Sequence, residues 1–200
     1  MATERNPENT RQRILKSAFN KIHCHGYQGF RIESVLSETG LKKGALYHHF
    51  TSKRALAYAV LEELIQKRIT DLWLSPLEKF DNPTEGIKTT FLAVGETWGD
   101  KFFSLGCPLN NLAQEMSPID EGFRISIEEF FSLWQQTIAS ALKRGQDLAL
   151  VKQDINLDET ARFIITIIEG AFSQAKVSQS RDKFFETGHQ LNRYLDTLTN

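Results

Sequence analysis

The sequence predicts an all-α protein of about nine helices, and three observations carry that expectation. Apolar residues recur at helical spacing along most of the 200 residues, prolines and asparagines fall where helices would begin, and no stretch alternates as a half-buried strand does. Asn6 and Pro7 supply a cap and a first-turn proline for a helix bearing Ile14, Leu15, Ala18, Phe19 and Ile22, which Gly26 stops. A short loop, Tyr27 to Phe30, leads to a second helix with Ile32, Val35 and Leu36 on one face. Gly40 breaks the chain again, and a third helix runs from about Lys42 to His49. Thr51 or Ser52 caps a longer fourth helix through Leu56, Val60, Leu61, Leu64 and Ile65, fading near Pro76. Asn82, Pro83 and Glu85 open the next, ahead of Ile87, Phe91, Val94 and Trp98. Pro108 and Pro118 read as first-turn prolines, the second leading a helix with Phe123, Ile127, Phe130, Phe131, Trp134 and Ile138 that Gly145 ends. Asn156 with Glu159 caps a helix reaching about Ser178, and Ser180 opens the last, to Leu198.

Composition narrows the function. No apolar stretch approaches the ~18 residues of a membrane helix, and Met1 to Thr10 is too polar for a secretory signal. The expectation is a cytoplasmic protein without membrane partners, whose two cysteines, Cys24 and Cys107, stay reduced. The net charge of -1 hides an asymmetry, since residues 1–60 carry +6 and the remainder -7. A basic head on an acidic body points to a head that meets a polyanion.

Within that head, Arg31 to Phe50 reads RIESVLSETGLKKGALYHHF. A helix-turn-helix needs a buried face on each helix and a small residue at the turn. Ile32, Val35 and Leu36 supply one face, Gly40 the turn, and Leu41 and Leu46 the other. The second helix must present short or hydrogen-bonding side chains at its start, which enters the major groove. Lys42, Lys43, Gly44 and Ala45 stand there: Gly44 and Ala45 let the backbone approach the bases, and Lys43 can donate to guanine. Tyr47, His48, His49 and Lys53 suit phosphates, which fix register without reading sequence.

Gly40, Lys43, Gly44, Ala45, Leu46, Tyr47, His48, His49, Phe50, Ser52, Lys53 and Leu56, with Thr10, Arg11, Ile14, Leu15, Ala18, Phe19 and Gly26 before them, resemble in order and spacing the DNA-binding domain of the TetR family of bacterial regulators. Phe30 and Arg31 stand where that family usually has two threonines, and Lys42 replaces its usual capping serine; Arg31 and Lys42 can instead grip phosphate. The resemblance implies a helix-turn-helix domain over residues 1–51 and a helical effector-binding and dimerisation domain over 52–200. It implies a repressor released by ligand, acting as a homodimer on palindromic double-stranded operator DNA, with the long fourth helix as the lever. By the same resemblance an effector cavity lies among the middle helices, with Trp98, Phe102, Phe103, Cys107, Asn110, Phe130 and Trp134 as its candidates and a small apolar or aromatic molecule as its occupant. The last two helices would pair with their mates. FIITIIEGAF (Phe163 to Phe172) is apolar nearly all round, and Ile164, Ile168, Phe172, Phe184, Leu191 and Leu195 are the expected interface.

Rival readings rest on fewer residues. Consecutive helical side chains point about 100° apart, so His23, Cys24 and His25 cannot converge on one metal ion, and neither a cofactor fingerprint nor a hydrolase motif is present. Cys107, just ahead of a helix start, leaves open a thiol sensor of electrophiles. A helical small-molecule carrier without DNA binding is the remaining alternative.

Overall fold

The computed structural model describes residues 7–200, so the cap expected at Asn6 lies outside the described residues. Among those residues the chain is helical, with no strand beyond a single bridge between Val151 and Thr199. Contacts divide it into two compact units, Met1–Lys67 with Asn111–Arg124, and Arg68–Asn110 with Ile125–Asn200.

The first unit is built on α1 (Pro7–Gly29), α2 (Ile32–Thr39), α3 (Lys43–His49) and α4 (Lys53–Val60), the last continuing with π-type hydrogen bonding over Leu61–Gln66. Gly26 interrupts α1 with φ 71°, a left-handed conformation that glycine adopts without steric cost. Gly40 does the same after α2 at φ 67°, its N–H closing on the Leu36 carbonyl. Ile14, Leu15, Ala18 and Ile22 of α1 share a core with Phe30, Ile32, Val35, Leu46, Phe50, Leu56, Ala57 and Val60. The same unit holds Asn111–Arg124. The Glu115 carboxylate accepts from the backbone N–H groups of Tyr27 and Gln28, both at 2.8 Å. Asp120 accepts from the Tyr58 hydroxyl at 3.0 Å and from Arg54 at 2.9 Å, and Phe123 stacks on Tyr58 with ring centroids 4.4 Å apart. Compactness thus reaches past residue 51, because the first turns of α4 bury Leu56, Ala57 and Val60 in the same core.

In the second unit the backbone stays helical through Thr70–Leu74, again π-type, and ends in a 3-10 turn over Ser75–Lys79. There follow α5 (Pro83–Thr97), α6 (Asp100–Leu105), α9 (Leu157–Ser178) and α10 (Asp182–Thr197), with α7 (Pro108–Met116) belonging to this unit only up to Asn110 and α8 (Glu121–Asp147) only from Ile125. The expected caps form: Ser52 Oγ accepts from Ala55 N–H, Asn82 Oδ1 from Thr84 N–H, and Asn156 Oδ1 from the N–H groups of Asp158 and Glu159. Three boundaries differ from expectation, the first being that the chain past the Gly26 kink is helical to Gly29 where a loop from Tyr27 to Phe30 was expected. Pro118 lies in a turn and α8 begins at Glu121, because Asp120 Oδ1 accepts from the N–H groups of Gly122 and Phe123 and so caps the helix. Gly145 does not end α8, which runs to Asp147. A Cβ there would fall 2.6 Å from Val151 and 2.7 Å from Pro83, so the residue serves close packing.

An aromatic stack forms the core of this unit. Phe91 of α5 stacks on Phe184 of α10 at 4.1 Å, Phe184 meets Phe172 of α9 at 4.8 Å, and Phe172 stacks on Phe103 of α6 at 5.8 Å. Trp73 extends it, 6.0 Å from Phe91 and 5.9 Å from Trp134 of α8. Phe184 touches three of these rings and is fully buried. Phe184→Ala should lower unfolding free energy by about 3–5 kcal/mol. Leu148→Ala, at an exposed side chain, should stay within about 0.5 kcal/mol; urea denaturation followed by circular dichroism measures both.

Candidate nucleic-acid interface and effector groove

On α3 the sequence sorts its side chains by face. Leu46 is buried, whereas Lys42, Lys43, Gly44, Ala45, Tyr47 and His48 are exposed, Tyr47 at 38%, and His49 is half-buried. Neither α2 nor α3 has a side-chain cap, as Arg31 and Lys42 in the cap positions foretold; each missing cap costs about 1 kcal/mol. Ser34 Oγ donates back to the Arg31 carbonyl at 2.7 Å. A Cβ on Gly44 would meet nothing within 4 Å. The fold therefore does not require glycine at a helix-interior position where it costs about 1 kcal/mol.

Ion pairing separates two classes of cation in this unit. Arg11 pairs with Glu63, Lys21 with Glu38, and Arg54 with Asp120. Arg31, Lys42, Lys43 and Lys53 have no acidic partner within 4.0 Å among the described residues. Lys53 lies over the rings of Tyr27 at 4.6 Å and Phe30 at 5.4 Å. Burial, and then the neighbouring positive charge of Arg31, hold its ammonium below the usual lysine value. Two unneutralised cations held side by side at the surface suit an external anion.

The expected effector residues divide differently. Trp98, Phe103, Phe130 and Trp134 are buried parts of the aromatic core, and Phe102 is half-buried beneath the Arg68 guanidinium, which lies 5.4 Å from its ring centroid and 4.6 Å from that of Trp98. Of the seven candidates only Asn110 lines an open groove of about 520 Å³ in the second unit, with Glu128, Phe131 and Gln135 of α8 and Arg162, Ile165, Thr166 and Glu169 of α9 among its other walls. The groove uses Phe131 and Gln135, the direct neighbours of Phe130 and Trp134. One step along a helix turns a side chain by about 100°, and the most apolar stripe faced the core instead.

The six expected interface residues need the same correction. Ile164, Ile168, Phe172, Phe184, Leu191 and Leu195 are all buried within the protomer, where Phe172 and Phe184 belong to the aromatic stack. They bind α9 and α10 to the rest of their own unit, so no surface of theirs remains for a second copy. The apolar side chains left outside on α9 are Phe163, 47% exposed, and Val177, 84% exposed, with exposed Gly170 midway between them at seven-residue spacing.

Cys107 precedes α7 as expected, yet its thiol is buried. Burial, and next the negative charge of Glu169, push it well above the usual thiol value. A protonated buried thiol is the reverse of the electron-rich thiolate that an electrophile sensor needs. Sequence reasoning missed Glu169, which is 8% exposed and whose carboxylate oxygens find no partner beyond the Cys107 thiol. Burial raises its carboxyl to about 7. Its one legible signal was a lone acid inside FIITIIEGAF.

This is the architecture of a helix-turn-helix module followed by a helical regulatory domain, and comparison with known proteins identifies the lineage. Residues 14–60 match the family described as bacterial regulatory proteins, tetR family, and residues 87–188 match the tetracyclin repressor-like C-terminal domain. An uncharacterized HTH-type transcriptional regulator in the lacX 3'region of Lactococcus lactis subsp. lactis is 33% identical over 174 residues, covering 87% of each chain. The HTH-type transcriptional repressor DhaR of Mycobacterium sp. (strain GP1) is 26% identical, covering 86% of this chain and 85% of DhaR. A TetR transcriptional regulator from Chloroflexus aurantiacus J-10-FL shares the fold with a TM-score of 0.86 at 24% identity, over 98% of both chains. The chain belongs to the TetR family. It is a DNA-binding transcriptional regulator and not an enzyme.

The shifted Glu169 has a consequence for stability. The folded chain holds this proton up to about pH 7, whereas the unfolded chain releases it near the usual 4.5. The unfolded state binds fewer protons between those values, so stability falls as pH rises through that window and levels off above it. Glu169→Gln should abolish the fall. Against the unsubstituted protein it should differ little near about pH 5 and be more stable by about 2–3 kcal/mol near about pH 8, as denaturant midpoints at the two pH values would show.

Proposed function

We propose that this regulator is a ligand-released repressor that binds a palindromic operator as a homodimer. The observation that carries the reading is the outward face of α3. Lys42, Lys43, Gly44 and Ala45 stand exposed there, and the cations beside them are unpaired while others in the same unit are tied to acids. Lys43 reads a base edge, and Arg31, Lys42, Tyr47, His48, His49 and Lys53 hold phosphates. Repression is supported by the relative DhaR, named a transcriptional repressor.

Dimerisation runs through the outward side of α9 and α10, where Phe163, Gly170 and Val177 form a stripe and Tyr194 packs its ring 4.8 Å from Phe163. The groove beside Asn110 and Glu169 receives the effector. Asn110 and Glu128 both line it and bracket Asn111–Arg124 in sequence, the segment whose Glu115 and Asp120 hold Tyr27, Gln28, Arg54 and Tyr58. Ligand binding is passed along that connection as well as along the fourth helix. Release demands a differential affinity of about 5.5 kcal/mol for a shift from 1:99 to 99:1, and operator DNA must weaken ligand binding by the same factor.

Two measurements test the reading. With operator fragments selected from genomic DNA, Lys43→Ala should cost about 1–3 kcal/mol and relax preference at one base pair, whereas Lys53→Ala should weaken all sequences alike and lower the salt slope by about one; mobility shifts at several salt concentrations distinguish them, and a sequence-neutral Lys43→Ala would refute the assignment of α3. Sedimentation equilibrium should show a dimer at micromolar concentration and a monomer for Val177→Glu, which should also lose operator affinity. A monomeric parent protein would rule out the two-fold arrangement.

A further inference from the structure

We infer that Glu169 makes the groove a receptor for cationic effectors: molecules with a protonated amine or amidinium on a flat apolar body. The inference rests on the reading of the groove as the effector site. A groove of about 520 Å³ is of the size that holds a drug-like molecule. Glu169 lines it with a side chain more than nine-tenths buried, whose carboxyl oxygens have no polar partner beyond the Cys107 thiol. Burying an acceptor unpaired is costly, and a ligand that supplies its donors recovers that cost on binding. The protein's own neighbour is a poor substitute, since the Cys107 thiol is a weak donor.

The other charges lining the groove are Glu128 and Arg162. Arg162 lies seven residues before Glu169 on α9, about 10 Å along the axis, and its Nε donates to Gln135 Oε1 at 3.4 Å. It leaves the Glu169 end without a cation. Phe131 and Ile165 give that end apolar walls, against which the body of a ligand can lie while its charged group meets the carboxylate. Raised to about 7, the group ionises readily once a cation is beside it.

Three probes of one shape test this on the full-length protein by calorimetry at pH 7.5: 2-naphthylmethylammonium, 2-naphthylmethanol and 2-naphthoate. The ammonium should bind at least ten times more tightly than the alcohol, and the naphthoate least. Glu169→Gln should bring the ammonium-to-alcohol ratio to about one. Ser173→Lys, which sets a tethered ammonium one turn beyond Glu169, should remove the preference as well, and it decides the matter should Glu169→Gln fail to fold. Absence of ammonium binding, equal or tighter binding of alcohol or naphthoate, or a preference that survives either substitution would overturn the inference. A Glu169-dependent ammonium complex that leaves operator affinity unchanged would uphold it and refute ligand release instead.

Discussion

The stacking of Phe91, Phe184, Phe172 and Phe103 fixes which sides of α9 and α10 face inward. Each ring comes from a different helix, so rotating α9 or α10 by one residue would turn its own ring, Phe172 or Phe184, about 100° out of the stack. With the inner face spoken for, the rest of α9 divides into two strips. One, through Arg162, Thr166 and Glu169, lines the groove with α8; the other carries Phe163 and Val177 outward. A single packing choice thereby determines where a small molecule can enter and where an apolar stripe is left over.

In the first unit the corresponding constraint is the shared core of α1, α2, α3 and α4. Burial of Leu46 and Phe50 commits the opposite side of α3 to solvent. Lys42 and Lys43 there make no ion pair among the described residues, whereas Arg11, Lys21 and Arg54 are tied to Glu63, Glu38 and Asp120. Uncompensated positive charge destabilises a compact domain slightly.

Helix positions were legible wherever a cap or a periodic stripe spoke for itself, as at Ser52, Asn82, Asn156 and Gly40. The exposed face of α3 was legible for the same reason, since Leu46 and Phe50 alternate with polar residues at helical spacing. Pro118 misled because Asp120, two residues later, is the stronger cap, and Gly145 because packing against Pro83 and Val151 looks in sequence like a helix stop. Which residues line the groove was hidden by a more general ambiguity. Aromatic side chains that close a core and those that line a groove have the same composition and period, so Trp98, Phe103, Phe130 and Trp134 could not be told from Phe131. The burial of Ile164, Ile168 and Phe172 within the protomer was hidden likewise, because a helix apolar nearly all round does not say which side its own protomer covers.

The uncapped start of α3 bears on how far this helix depends on its surroundings. Seven residues with a glycine near the start and no side-chain cap cannot hold a helix alone. The element is helical because Leu46 and Phe50 are anchored from below. It is consequently not a portable cassette: moved into another scaffold without its bed it would lose its shape. Single surface replacements around Lys42 to Ala45 leave the anchors in place, since those positions are exposed.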